Sequence, residues 1–263
     1  MVLERFRIDD KVAIVTGAGR GIGAASALAL AECGADLVLA ARTKDQLEQV
    51  ADQVRALGRR ALVVPTDVNE IGEVEAIAAA AIEEFGGIDI VVNNAGGTAP
   101  RPFLDTSAGY VERAFHFNVT TAYALTRAAV PSMLDRGGGA VVNISSAMGR
   151  LRDRGYVAYG TAKAALAHMT RLSAADLAPK VRVNAIAVGS VATSALETVL
   201  TDETIRKLMV DGTPLKRLGE PDDIAIGVVY LASPASSFVT GKVFEIDGGI
   251  ETPNLALGLP DLK

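Results

Sequence analysis

A short apolar run, Val12 to Val15, enters Thr16-Gly17-Ala18-Gly19-Arg20-Gly21-Ile22-Gly23 and then an Ala/Leu-rich stretch reaching about Cys33. Nothing else in the chain limits its fold so tightly. Glycines at Gly17, Gly21 and Gly23 turn a strand sharply into a helix and let the backbone approach a ligand closely. The helix start offers unpaired N–H groups and the positive end of a dipole, so the turn suits a pyrophosphate, with Ile22 inside the same turn. A tight strand-to-helix turn without a ligand is the alternative at this point.

The same alternation continues along the chain. Gly34 stops the first helix, and Leu37 to Ala41 reads as a second buried strand. Thr43 is placed to cap the next helix, with Gln46 three residues on as in a capping box. Leu47, Val50, Val54 and Leu57 form its apolar stripe, and Gly58 ends it. Ala61 to Val64, Ile88 to Val92, Ala140 to Ile144, Val181 to Ala187 and Phe244 to Ile246 read as further strands. Helices are expected over Glu70 to Phe85, over a long tract from about Thr106 to Met133, and up to about Ala178. Continuous apolar strands, each followed by a helix, call for a parallel sheet covered on both faces. No linker, low-complexity tract or repeat divides the chain. The expectation is an α/β, doubly wound Rossmann fold: one domain over residues 1–263, core about 10–249, with a mainly parallel seven-stranded sheet.

Charge and rare residues exclude several functions. A net charge of −5 supplies no basic field for nucleic acid or an anionic membrane. Cys33 is the only cysteine, which excludes an internal disulfide and a cysteine-rich metal site. His116 and His168 stand apart without metal-ligand spacing, so no metal is expected. Met1 to Lys11 is charged and lacks the apolar core of a secretory leader. Gly21 to Ala41 is interrupted by Glu32 and Asp36, so it is no membrane span. A cytoplasmic protein is expected.

The chemistry lies in Ser146-x12-Tyr159-x3-Lys163. Residues four apart on a helix share a face, so Tyr159 and Lys163 point into one pocket. The ammonium is expected to lower the phenol from its usual pKa near ~10 toward a usable acid–base group. Ser146 closes a buried strand at a cleft, where its hydroxyl can hold a substrate oxygen. Tyr-x3-Lys alone is common by chance; its weight comes from the rest of the chain.

Strand two ends in Ala40-Ala41-Arg42-Thr43, with no acid before Asp45. Folds that bind NAD usually place a carboxylate there for the adenosine ribose. Arg42 and Arg20 suit a 2′-phosphate instead. NADP(H) is therefore favoured over NAD(H), the alternative being Arg42 stacked on adenine and Arg20 on the surface.

With these pieces assembled, the chain resembles the short-chain dehydrogenase/reductase family from about Asp10 to Gly249. The motifs are Thr16-Gly17-x3-Gly21-Ile22-Gly23, Asn93-Asn94-Ala95-Gly96, Asn118, Ser146, Tyr159, Lys163 and Val183-Asn184-Ala185 before Gly189. The resemblance implies that Asp67 and Val68 lie against the adenine and that Asn94, Ala95 and Gly96 line the adenosine side. It further implies that Lys163 bonds the nicotinamide ribose, that Asn118 holds a water feeding a proton relay, and that Val191 and Thr193 meet the carboxamide. Family spacing selects Ser146 over Ser145, and Tyr159 over Tyr156, which has Gly160 four residues on. Val188-Gly189 stands where Pro-Gly is usual, so a looser turn is expected there.

The implied activity is an NAD(P)(H)-dependent interconversion of a secondary alcohol and a ketone. Gly96-Gly97, Pro100-x-Pro102-Phe103 and Thr213-Pro214-x3-Arg217-Leu218-Gly219 look most like bacterial hydroxysteroid dehydrogenases of the 7α type. A 3-oxoacyl-thioester reductase is a close second, and a catalytically silent nucleotide-binding regulator a third. Arg150, Arg152 and Arg154 either attract an acidic substrate tail or form a solvated face or subunit contact. Ser190 to Thr213 reads as a substrate lid or as ordinary helix packing. The resemblance implies a homotetramer, or a homodimer, with the catalytic-region helices and strand seven at interfaces.

Overall fold

The computed structural model describes residues 1–193, 201–255, 257–259 and 261. Its strands are β1 (Val12–Thr16), β2 (Asp36–Ala41), β3 (Ala61–Pro65), β4 (Ile90–Asn93), β5 (Gly139–Ser146), β6 (Val181–Val188) and β7 (Val243–Ile246). They form one seven-stranded sheet in the order β3-β2-β1-β4-β5-β6-β7, and every pairing is parallel. The order reverses direction between β1 and β4, and ligands of such sheets bind outside the carboxyl ends at that crevice.

The strands are apolar on both sides because each side feeds a core. Ala13, Val15, Leu37, Leu39, Val142 and Ile186 face one core with α1 (Gly21–Glu32), α2 (Lys44–Ala56) and α8 (Pro221–Ala232). Val12, Ile14, Val38, Val91, Val141 and Val183 face the other, under α3 (Ile71–Phe85), α5 (Thr121–Asp135) and α6 (Val157–Leu177). Among the described residues the remaining α-helices are α4 (Ala108–Phe115) and α7 (Glu203–Asp211).

Several expectations need correction. Thr43 sits at the N-cap of α2, but its side chain makes no capping bond. Gln46 turns instead toward the glycine turn, where a Cβ on Gly19 would lie 3.2 Å from its Oε1. The buried stripe of α2 is Leu47, Val50, Ala51 and Val54, while Leu57 is the exposed C-cap. The long tract is not one helix: a π-helical segment, His116–Thr120, separates α4 from α5. Val188 is buried, continues β6 and pairs with Ser146 and Ile246, because valine, unlike proline, fits a ladder. Of the Ser190 to Thr213 segment, α7 is described and Met209 is its buried residue; the remainder from 194 to 200 lies outside the described residues.

Candidate active site

The glycine turn joins β1 to α1, with Gly17 and Gly21 at positive φ. Gly23 is required by space: a Cβ there would strike the Gly17 carbonyl. The turn is tied to the end of β4 through Thr16. Its Oγ1 accepts from Asn94 N and Ala95 N, both at 3.0 Å, while Asn94 Nδ2 donates to Thr16 O at 2.8 Å. Thr193 reaches the turn from beyond β6, its Cγ2 3.4 Å from where a Cβ of Gly21 would stand. Val191 is buried beside it and bridged to Gly219. A dinucleotide fits this turn, since the first-turn N–H groups of α1 have no carbonyl one turn back.

At the end of β2, Arg42 and Thr43 are exposed, and so is Arg20 at the N-cap of α1. Among the described residues neither guanidinium has an ion-pair partner within contact distance. Asp67 lies close enough for Arg42 to help lower its carboxyl, although bonds from Asn69 N (3.0 Å) and Nδ2 (2.9 Å) are the main cause. Val68 is buried behind it, against the second core.

The acid–base group is built by the last three residues of β5. Alternation sends neighbouring side chains to opposite faces. Ser146 accepts from Met148 N at 3.2 Å and lies near enough to the Tyr159 phenol for its hydroxyl to lower it. Ser145 turns the other way and donates to Lys163 O at 3.0 Å. Lys163 Nζ donates to Ile144 O at 2.8 Å and stands 5.8 Å from the Tyr159 ring centre. Strand and helix thus meet at three points around one tyrosine–lysine pair.

Asn118 enters the same site from the π segment. Its Oδ1 accepts from Gly97 N at 2.8 Å, and its Nδ2 donates to Ala114 O at 2.8 Å and to Gly97 O and Thr98 Oγ1 at 3.2 Å. Gly96 lets these groups converge: a Cβ there would lie 2.7 Å from Asn118 Oδ1 and 3.0 Å from Lys163 Nζ. His116, in the same segment, donates from Nε2 to Asn69 O at 2.9 Å, so it braces the Asp67 loop. His168 is exposed, and no group of metal ligands occurs among the described residues.

The electrostatics differ from the expectation. Burial pushes the Tyr159 phenol up, opposed by its bond to Ser146. Burial also pulls Lys163 down to about 8. Desolvation is the largest cause for each group, and Lys163, still above neutral pH, keeps its ammonium beside the phenol.

Two arginines of the loop are engaged within the chain. Arg150 pairs with Asp247 (2.9 Å), Glu245 (3.0 Å) and Glu251 (3.4 Å) and donates to Ile250 O at 2.7 Å. Arg154 pairs with Asp261 and donates to Leu259 O at 2.8 Å. Sequence reading had not singled out Gln46 or Thr98 for the site; Thr16 stood in the glycine motif, and Ser145 was the alternative to Ser146.

Comparison with known proteins agrees with this geometry. The family model described as enoyl-(acyl carrier protein) reductase matches residues 17–251. An uncharacterized oxidoreductase of Mycobacterium tuberculosis is 59% identical over 263 residues, all of both chains. The 7alpha-hydroxysteroid dehydrogenase of Escherichia coli K12 is 39% identical over 247 residues, 94% of this chain and 96% of the relative. A solved 7alpha-hydroxysteroid dehydrogenase, complexed with NADH and 7-oxo glycochenodeoxycholic acid, superposes with a TM-score of 0.90. It is 38% identical, covering 94% of this chain and 96% of that one.

Proposed function

The chain belongs to the short-chain dehydrogenase/reductase family, and on that premise we propose that it is an NADP(H)-preferring oxidoreductase interconverting a hydroxysteroid-like secondary alcohol and its ketone. The observation that carries the reading is the convergence at Gly96, where Asn118 and Lys163 close on the strand end that holds Ser146 against Tyr159.

A nicotinamide dinucleotide, when bound, supplies or accepts the hydride. Gly17, Arg20, Gly21, Ile22 and Gly23 would hold its diphosphate, and Arg42 with Thr43 its 2′-phosphate. Asp67 and Val68 would face the adenine, Asn94, Ala95 and Gly96 the adenosine side, and Val191 and Thr193 the carboxamide. Ser146, already accepting from Met148 N, has its own proton to aim at the substrate oxygen. In reduction Tyr159 gives that oxygen a proton; in oxidation it takes one. Among the described residues Lys163 has no carboxylate partner, so a phenolate forming beside it is the charge that its ammonium stabilises. The Asn118 side chain is fully engaged with the 97–98 loop and Ala114. A relay water would therefore sit at its main-chain carbonyl, within the widened π turn.

The preference for NADP(H) is supported by two exposed, unpaired guanidiniums and the missing acid after β2. The solved relative holds NADH, which makes NAD(H) the alternative. Fluorescence titration with NADPH and NADH, followed by turnover on ketosteroids, diketones and acetoacetyl thioesters, tests both points. Tighter NADPH and turnover of a ketosteroid are expected. Tighter NADH would overturn the cofactor assignment. Turnover confined to acetoacetyl thioesters would select the 3-oxoacyl reading. Binding without turnover would favour a nucleotide-binding regulator.

A cytoplasmic homotetramer, or homodimer, completes the proposal. Phe115, Tyr123, Val157 and Leu172 on α4 to α6, with Ile226 on α8, are exposed apolar side chains that such an assembly would cover. Light scattering of the purified protein reads the assembly directly. No described helix is long and apolar enough to cross a membrane.

A further inference from the structure

We propose that Thr170 is a positioning residue for the acid–base pair: through Asn143 it fixes the slide and tilt of α6 on β5, and with them the place where Tyr159 meets the substrate oxygen. This rests on the oxidoreductase reading above. Two residues on from Val91 and Val141, Asn93 and Asn143 stand side by side on the face covered by α5 and α6. An apolar pair would continue that core. Both asparagines are nevertheless buried, and so are Thr126 of α5 and Thr170 of α6.

The four side chains form one directed chain. Asn93 Nδ2 donates to Asn143 Oδ1 at 2.8 Å and to Thr126 Oγ1 at 3.1 Å, and Asn143 Nδ2 donates to Thr170 Oγ1 at 2.9 Å. Each threonine hydroxyl gives its own proton one helical turn back, Thr126 to Ala122 O at 2.8 Å and Thr170 to Leu166 O at 2.9 Å. The hydroxyls are then left to accept from the asparagines, which gives every bond a single orientation. Sealed polar groups add little net stability over an apolar pair, but they admit few relative placements of the elements they join.

Thr170 lies seven residues past Lys163, two turns along one face of α6. At Lys163 the helix is already pinned to β5, since Ser145 Oγ donates to Lys163 O at 3.0 Å and Lys163 Nζ donates to Ile144 O at 2.8 Å. A helix pinned at one point can still rock about it. The bond from Asn143, two strand residues before Ser145, is the second pin that stops this. Tyr159 stands about 6 Å from the pivot on one side and Thr170 about 10 Å on the other, at ~1.5 Å rise per residue. A slip of about 1 Å at Thr170 therefore carries the tyrosine roughly 0.6 Å the opposite way. Misplacement on that scale costs rate. It leaves dinucleotide binding in place, because the glycine turn lies on β1 and α1.

The test is Thr170→Val, which keeps the shape and leaves Asn143 Nδ2 without its acceptor, beside Thr170→Ser, which keeps the hydroxyl. Thr126→Val breaks the matching bond on α5 and is the control for lost stability. Both valine variants should unfold at lower denaturant. Per folded molecule, Thr170→Val should lose about ten-fold in kcat, with KM and the dinucleotide dissociation constant nearly unchanged. Thr170→Ser should have a kcat near the native value, and Thr126→Val should match the native enzyme. Crystal structures of the native protein and Thr170→Val should show the Tyr159 phenol moved against β5. Should Thr170→Val fail to fold, Ser145→Ala removes the other pin, leaves no donor unpaired and takes the same measurements with the same expected split. Native kcat with either pin removed, an equal kcat loss in Thr126→Val or Thr170→Ser, or an unmoved phenol would overturn the proposal. A displaced phenol, with no turnover of any alcohol by the native protein, would overturn the oxidoreductase reading and keep the two-pin mounting.

Discussion

The two edges of the sheet treat charge in opposite ways. At the amino edge, two buried carboxylates are fully partnered. Asp36 accepts from Arg60 N (3.0 Å) and Arg60 Nε (2.8 Å) and pairs with Arg59 at 3.0 Å. Asp89 accepts from Val12 N and Lys11 at 3.0 Å and from Arg136 at 2.8 Å. Burial alone would raise both carboxyls, but the hydrogen bonds and cations outweigh it and hold them below their ordinary value. At the carboxyl edge, Lys163 is buried and, among the described residues, donates to the Ile144 carbonyl without an ion-pair partner, and Arg20 and Arg42 stand unpaired there too. Satisfied charges lock strands in place. Unsatisfied ones mark where a ligand or a reaction completes the arrangement.

The largest effect should come from removing the one proton that moves. Tyr159→Phe keeps the ring and should lower turnover roughly 1,000-fold, within the range for loss of a general acid–base group. Dinucleotide affinity should stay nearly unchanged, and single-turnover kinetics beside a binding titration would read both. Turnover near the native level would remove Tyr159 from the chemistry and with it the contrast between edges.

Next in size is Lys163→Met, which should cost activity and improve stability. Burial lowers Lys163 from 10.5 to about 8, so at pH 7 the fold carries roughly 3 kcal/mol of desolvation cost. Because its folded pKa lies below the unfolded one, the unfolded chain binds more protons between these values. Native stability should therefore rise with pH across that window. The methionine variant should unfold at higher denaturant at pH 7, and its advantage should fade by pH 10. A variant less stable at pH 7 would show that the Ile144 contact outweighs desolvation.

The seven strands, their parallel pairing and the glycine turn were legible because period and punctuation report them locally. The choice of Ser146 over Ser145 was legible too, since alternation along β5 separates the two hydroxyls. The π segment was not: one inserted residue leaves the apolar pattern from Thr106 to Met133 helical on both sides. The roles of Arg150 and Arg154 were hidden for another reason. Their partners lie about a hundred residues downstream, from Glu245 to Asp261, and only folding brings them near. The direction of the Tyr159 shift depends on burial depth, which spacing along a helix does not report.

A smaller effect is expected at the amino edge. Asp89→Asn should cost about 2 kcal/mol at pH 7, less than a sealed ion pair would, because Lys11 and Arg136 keep partial access to water. The Asp89 carboxyl is lowered in the fold, so its contribution is complete above the ordinary carboxylate pKa. It is lost as pH falls through the lower folded value. Denaturant midpoints for native and variant should therefore converge in acid, with turnover per folded molecule unaltered at pH 7.

The smallest expected effect tests whether the unpaired cations await a ligand. Arg42→Ala removes an exposed side chain with no ion-pair partner, so stability should move by no more than about 0.5 kcal/mol. If Arg42 faces a 2′-phosphate, the variant should lose about ten-fold in NADPH affinity, the scale of one charge-assisted contact, and almost nothing for NADH. The ratio of the two dissociation constants reads the contrast directly. An equal loss for both nucleotides would mean that the guanidinium stacks on the adenine they share. No loss for either would leave Arg20 as the cation to replace next, since it caps α1 beside the same glycine turn.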